Sequence, residues 1–216
     1  MACNAFVDGK GERDLHQEDY PEIILASASP RRKELLEKTD LLFEIDFPQI
    51  NEEVTGTPEE CVKEIATRKA MKVKEQHPRA LIIAADTLVE SDGEILGKPI
   101  TSQKALEMLK KLSGKWHHVY TGVCVLDGRT GKVHMGVEKT DVLFSVLSDE
   151  LIAAYIATGE PLDKAGAYGI QGAGEMFIEE IRGSYSNVMG LPLNLLRKML
   201  LAFHVEALPR QLINTI

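Results

Sequence analysis

Little in this sequence ties it to an oxidising compartment, a membrane or a nucleic acid. Its three cysteines, Cys3, Cys61 and Cys124, lie far apart and form no CxxC pair. That argues against a disulfide framework or a zinc knuckle and fits a reducing cytoplasm. No apolar run approaches the roughly 20 residues of a membrane helix. The opening MACNAFVDGKGERDLHQEDY has acids scattered through it and lacks the continuous apolar segment of a secretory signal. Positive charge is in deficit, with 25 Lys and Arg against 33 Asp and Glu and a net charge of -8. A general nucleic-acid or anionic-membrane surface would need an extended basic face, so any polyanion site must be local. Internal repeats and low-complexity tracts are missing.

What is present describes one large domain or two closely joined lobes. The 216 residues, 44% hydrophobic and 27% charged, can bury a sizeable core. Residues 1–20 read as a flexible extension, rich in Gly, Asp, Glu and Lys and closed by Pro21. The folded unit is expected over 21–204, with 205–216 a loosely attached tail.

The most informative stretch is EIILASASPRRKELLE, residues 22–37. An apolar strand empties through a Ser/Ala turn into a helix that should start at Pro30. Ser29 is the natural N-cap, and proline lacks the N–H that would go unpaired at the first helical position. Arg31, Arg32 and Lys33 then place three cations in a first turn, where the macrodipole favours acids. An anion resolves the conflict. Free N–H groups, serine hydroxyls and forked guanidiniums describe a phosphate or carboxylate pocket at the carboxyl end of a strand. A solvated basic turn is the competing reading.

Further along, Leu42–Phe47 alternates as a short half-buried strand stopped by Pro48. Glu52 and Glu53 sit in the loop before a capping box, with Thr57 as N-cap, Pro58 first and Glu60 third. That helix should run to about Gln76, burying Val62, Ile65, Ala66, Ala70 and Val73, with Lys69 one residue round from the apolar face or simply on its wet side. Residues 80–89, ALIIAADTLV, read as a strand buried on both faces. Asp86 interrupts it, and a carboxylate there needs a partner, a metal or a function. The alternative is an acid capping a turn at the strand end.

Asp92-Gly93 marks a tight hairpin, and Lys98 follows in a loop. A helix is expected over 102–112, then a long hairpin from Trp116 to Val146 through DGRTGK. His117 and His118 should face opposite ways on its first strand, so both are taken as structural. Gly122 within it suggests close approach of a ligand or another backbone. Ser148 should cap a helix that stops at Gly159. The Gly-rich stretch to Gly174 is not the GxGxxG dinucleotide fingerprint, because no strand precedes it. A strand at 176–181 and a helix over 192–203 complete the chain.

Four blocks, LASASPRR at 25–32, AADT at 84–87, EPLDKAGAYGIQG at 160–172 and NVMGLPL at 187–193, resemble the Maf family of nucleoside triphosphate pyrophosphatases in order and spacing, over about Ile23 to Leu201. The resemblance implies an α/β fold, an elongated curved mixed sheet with flanking helices and a cleft between two lobes, similar to the inosine triphosphate pyrophosphatases. It implies hydrolysis of a nucleoside triphosphate to the monophosphate and pyrophosphate with a divalent cation, Mg or Mn, and it admits a homodimer. On the matching positions it implies Asp86 as general base, Glu52 and Asp86 toward metal with Glu53 as rival to Glu52, and Ser27, Arg31, Arg32, Lys69 and Lys98 toward phosphate. The late loop with Gln171 resembles the branch acting on dTTP and UTP, and makes Arg31, Thr87 and Gln171 the specificity candidates. A glutamine amide matches the O4/N3–H edge of thymine or uracil, although Gln171 can equally stabilise its own loop. The family's other implied role is a nucleotide-binding regulator of cell division or septum formation with incidental hydrolysis. A sugar-phosphate or carboxylate enzyme is a third reading of the same pocket.

Overall fold

The structure, a computed structural model, describes Tyr20 and residues 22–210. In chain order its elements are β1 (Ile23–Ala26), α1 (Pro30–Leu36), β2 (Glu44–Ile45), α2 (Pro58–Lys74), β3 (Leu81–Ser91), β4 (Glu94–Leu96), α3 (Ser102–Leu112), β5 (Trp116–Asp127), β6 (Val133–Phe144), α4 (Asp149–Ala157), β7 (Ile178–Arg182), α5 (Tyr185–Met189) and α6 (Leu193–Leu201). Three short 3-10 turns, Glu160–Asp163, Ala165–Ala167 and Ala173–Phe177, lie between α4 and β7.

The strands form one seven-stranded mixed sheet in the order β2-β1-β3-β5-β6-β7, with β4 on β3. The first three strands run parallel, and β5, β6 and β7 continue antiparallel. From β1 the chain crosses to β2 on one side and then returns to β3 on the other, so the carboxyl end of β1 is a topological switch point, where open α/β sheets form crevices.

Alternation along β3 divides the core. Ile82 and Ala84 face α2, packing with Ala66, Ala70 and Val73, while Leu81, Ile83 and Ala85 face the side of α1, α5 and α6, with Leu35, Met189, Leu196 and Leu200. Farther along the strand Val89 enters a separate core with Leu109, Phe144, Tyr155 and Phe177, built from α3, α4 and the late loop. The long strands β3 and β5 thus run through both cores. Gly122, opposite Asp86 in the register, lets α2 lie directly on the sheet, because a Cβ there would stand 2.5 Å from the Val62 carbonyl oxygen. The close approach expected at this glycine is that of a backbone.

Local signals placed the helix starts. Ser29 caps α1, Thr57 and Glu60 form the full capping box of α2, and Ser148 caps α4. Three expectations change. Of the segment 42–47 only Glu44–Ile45 pairs, and Phe47 is exposed, because β2 is an edge strand and its far side has no layer to bury against. The end of the chain is attached as far as Arg210: Val205 and Ala207 are buried, Asp40 and Leu208 exchange hydrogen bonds, and the Arg210 N–H bonds to Lys38. Tyr20, placed in the flexible extension, is buried with its hydroxyl on Asp127 and the Arg129 guanidinium over its ring. Residues 1–19, Pro21 and residues 211–216 lie outside the described residues. Among the described residues no helix is long and apolar enough to cross a membrane.

His117 and His118 do face opposite ways. His117 is fully buried with Nε2 against the Tyr168 hydroxyl, and burial lowers its pKa to about 3. His118 pairs with Asp141.

Candidate functional site

The site begins with a gap in the sheet. β1 pairs with β3 up to Ala26 and Ala84, and β4 pairs with it only from Val89. Between them residues 85–88 have a strand partner on the β5 side alone. A cavity of about 1490 Å³ wraps this open edge and is lined by Asp86, Thr87, the 26–32 turn, the loop with Glu52 and Glu53, Lys69 and Lys98. Neighbouring strand residues point to opposite faces, so at an open edge one cavity can receive both Asp86 and Thr87.

On the α2 face, the Lys69 ammonium donates to Asp86 Oδ1 at 2.7 Å and lies 2.8 Å from Glu52 Oε1. Lys69 is two helical turns beyond Val62, the residue whose carbonyl sits over Gly122, which directs its side chain at Asp86. Burial raises the Glu52 pKa, but the hydrogen bond and charge of Lys69, helped by Lys98, outweigh it and hold the carboxyl below its ordinary value. Glu53 turns away, exchanging hydrogen bonds with Asn51, while Arg68 clamps the Asn51 and Glu53 carbonyls. The geometry therefore separates the two rival acids, and Glu52 is the one beside Asp86.

On the other face Arg32 folds back from α1. Its Nε donates to the Gly190 carbonyl at 2.8 Å, Nη1 to Ser27 Oγ at 3.1 Å and Nη2 to Thr87 Oγ1 at 3.1 Å. Gly190 closes α5 with φ 111°, and a Cβ there would stand 3.4 Å from the Arg32 Nε. The approach is fixed from behind by Asn187, which is fully buried: its side-chain amide Nδ2 donates to the Val119 carbonyl and to Thr140, and its backbone carbonyl accepts from the Thr121 hydroxyl. Burial lowers the Arg32 pKa against the pull of Asp86 and Glu52, yet a guanidinium stays charged. Three cations at the start of α1 thus take three paths. Arg32 points into the cleft, Arg31 sits 3.9 Å from Asp163 across the cavity, and Lys33 turns out to Glu37.

Of the residues singled out from sequence, Ser27, Arg31, Arg32, Glu52, Lys69, Asp86, Thr87 and Lys98 line the one cavity. Gln171 does not. Its amide Nε2 donates to both oxygens of Glu34, on α1, at 3.1 and 3.0 Å. Two polar residues of the late loop, Asp163 and Lys164, also line the cavity. Lys164 is drawn onto Asp163 and the Glu160 carbonyl, and Glu160 anchors the loop through Tyr155 and the Ala173 N–H. Asn187 and Gly190 had no signal apart from their place in the fourth block.

Cations, hydroxyls and a carboxylate pair around the switch point of a mixed sheet are the equipment of a phosphate-handling α/β protein. The model of the family described as Maf-like protein matches residues 22–203. Among curated relatives, a dTTP/UTP pyrophosphatase of Geobacillus sp. (strain WCH70) is 50% identical over 175 residues, covering 80% of this chain and 93% of the relative. Proteins of the same description from Caldicellulosiruptor bescii and Thermococcus gammatolerans are each 48% identical, over 82% of this chain and 92% and 94% of the relatives. The chain belongs to the Maf family.

Proposed function

We propose that this protein hydrolyses dTTP and UTP to the monophosphates and pyrophosphate. The observation that carries the reading is the stretch of β3 left open on one edge, which sets Asp86 beside Lys69 and Thr87 beside Arg32 at the rim of one cavity. The descriptions of the relatives supply the substrates.

In this reading Arg32 and Ser27 hold phosphate oxygens, with Arg31 and Lys98 adding charge from the cavity walls. Asp86 takes the proton of the attacking water, and Lys69 keeps its carboxylate oriented. Among the described residues no three His, Cys, Asp or Glu side chains converge on one point, but Glu52 and Asp86 converge on the single charge of Lys69. Two carboxylates are what Mg²⁺ takes from a protein when phosphate oxygens and water complete its shell. The residues therefore fit a cation that arrives with the nucleotide, held by Glu52 and Asp86. Such an ion would neutralise the triphosphate and acidify water.

The test is a panel of canonical and modified triphosphates with Mg²⁺ or Mn²⁺, scored for pyrophosphate. dTTP and UTP should lead, and Asp86→Asn should lower turnover by roughly 10²–10⁴-fold without lowering the melting temperature. Wild-type turnover in that variant, or a panel inert to every nucleotide, would overturn the reading.

A further inference from the structure

The loop after β4 holds a strained residue that the phosphate chemistry does not use. Ile100 has φ 62°, and the Thr101 N–H donates to the Pro99 carbonyl at 2.6 Å. A bond from residue i+2 to residue i around a positive φ is the rare form of the γ-turn. Four non-glycine residues among those described have positive φ, Asp92, Ile100, Ala167 and His204, and Ile100 alone of them is β-branched, the type least tolerant of that region. Its side chain is not held in place by a core, since the residue is 81% exposed. It lines the same cavity as Asp86 and Arg32.

Strain with no packing to support it needs another reason. A turn required only to aim Lys98, two residues earlier, would be met without strain by Gly or Asn at its apex. The side chain itself is what the turn presents. Asp86, Lys69 and Arg32 meet at the open edge of β3, whereas Phe47, Ile95 and Ile100 contribute exposed apolar surface to the cavity. The cavity, about 1490 Å³, is far larger than three phosphates require, and an apolar wall with few polar groups is the usual lining for the organic part of a ligand.

We infer that Ile100 is a substrate-positioning residue, held in a strained γ-turn so that its side chain packs against the nucleoside end of a nucleoside triphosphate whose phosphates lie at Arg32. The inference rests on the nucleotide reading above and adds to it the residue that tells a nucleotide from a bare polyphosphate. Because the contact is apolar it selects for the presence of a nucleoside, and base identity is left to polar groups.

The experiment compares binding, by calorimetry with Mg²⁺, of the non-hydrolysable α,β-methylene analogue of dTTP with that of inorganic tripolyphosphate. Ile100→Asn keeps a residue that accepts positive φ and removes the apolar surface, while Ile100→Leu restores the surface. Ile100→Asn should weaken the nucleotide analogue by about 10-fold or more, leave tripolyphosphate affinity unchanged and keep or raise the melting temperature. Ile100→Leu should regain most of the lost affinity. An unchanged ratio of the two affinities in Ile100→Asn, or equal weakening of both ligands, would overturn the assignment while leaving the nucleotide reading intact. Wild-type protein that binds tripolyphosphate as tightly as the nucleotide would overturn that reading and the assignment with it.

Discussion

Lys69 and Arg32 are both drawn into the cleft from helices on opposite faces of β3, and they are satisfied in opposite ways. Lys69 meets two carboxylates, so its face of the strand carries one positive and two negative charges. Arg32 meets three neutral oxygens from three segments and has no carboxylate within ion-pair distance among the described residues. The first arrangement leaves a net negative point in a sheltered place and the second a net positive one. A low local dielectric strengthens both fields. One face is therefore suited to a cation and the other to an anion, with a single strand edge between them.

The comparison breaks most readily at Arg32. Arg32→Lys retains the charge but cannot fork to Ser27, Thr87 and Gly190 together. It should weaken nucleotide binding by about 10²-fold and lower stability by about 1–2 kcal/mol for the lost hydrogen bonds, read by calorimetry and urea denaturation. Unchanged affinity would mean that the guanidinium only braces the fold. On the other face, Lys69→Met leaves two carboxylates facing each other. Added Mg²⁺ should then raise the melting temperature by about 2–4 °C more than in the wild type, and an equal rise in both proteins would show that the acids do not form a cation site.

Arg31 sharpens the contrast with its neighbour. Its partner Asp163 is mostly exposed at 3.9 Å, so Arg31→Ala should alter stability by less than about 0.5 kcal/mol while raising KM. A clear loss of stability would mean that the contact joins the lobes. The smallest effect concerns pH. Because Glu52 titrates below its ordinary value, its contribution is complete above the unfolded pKa of about 4.5 and is lost as pH falls through the lower folded value. The difference in melting temperature between wild type and Glu52→Gln should stay constant from neutral pH down to that point and close on further acidification. A difference that opened in acid would reverse the sign assigned to the Lys69 pair.

Much of this site is visible in single residues because the signals are local. Ser29-Pro30 and Thr57-Pro58 start helices through caps that depend on three or four neighbouring residues. Asp86 is conspicuous because a charge in an apolar strand violates the pattern around it. What stayed hidden depends on partners distant in sequence. Arg32 and Lys33 are equivalent in a string of letters, yet one reaches Gly190, 158 residues away, and the other stops at Glu37. The resemblance favours Glu52 over Glu53, but a physical reason appears only with Lys69 seated between Glu52 and Asp86. Gln171, matched to a base edge by its chemistry, is seen here bonded to Glu34. The strain at Ile100 leaves no trace in sequence, since isoleucine in a loop after proline is unremarkable until φ is known.

The sequence by itself determined where the helices begin, which strand carries the acid and which turn gathers the cations, because capping, periodicity and charge burial act over a few residues. Only the tertiary structure decided that β1 ends and β4 begins on either side of Asp86 and Thr87, opening this strand edge to a common cavity. That gap arises from strand pairings between segments far apart in the chain. It turns a basic turn and a buried acid into the two walls of one site.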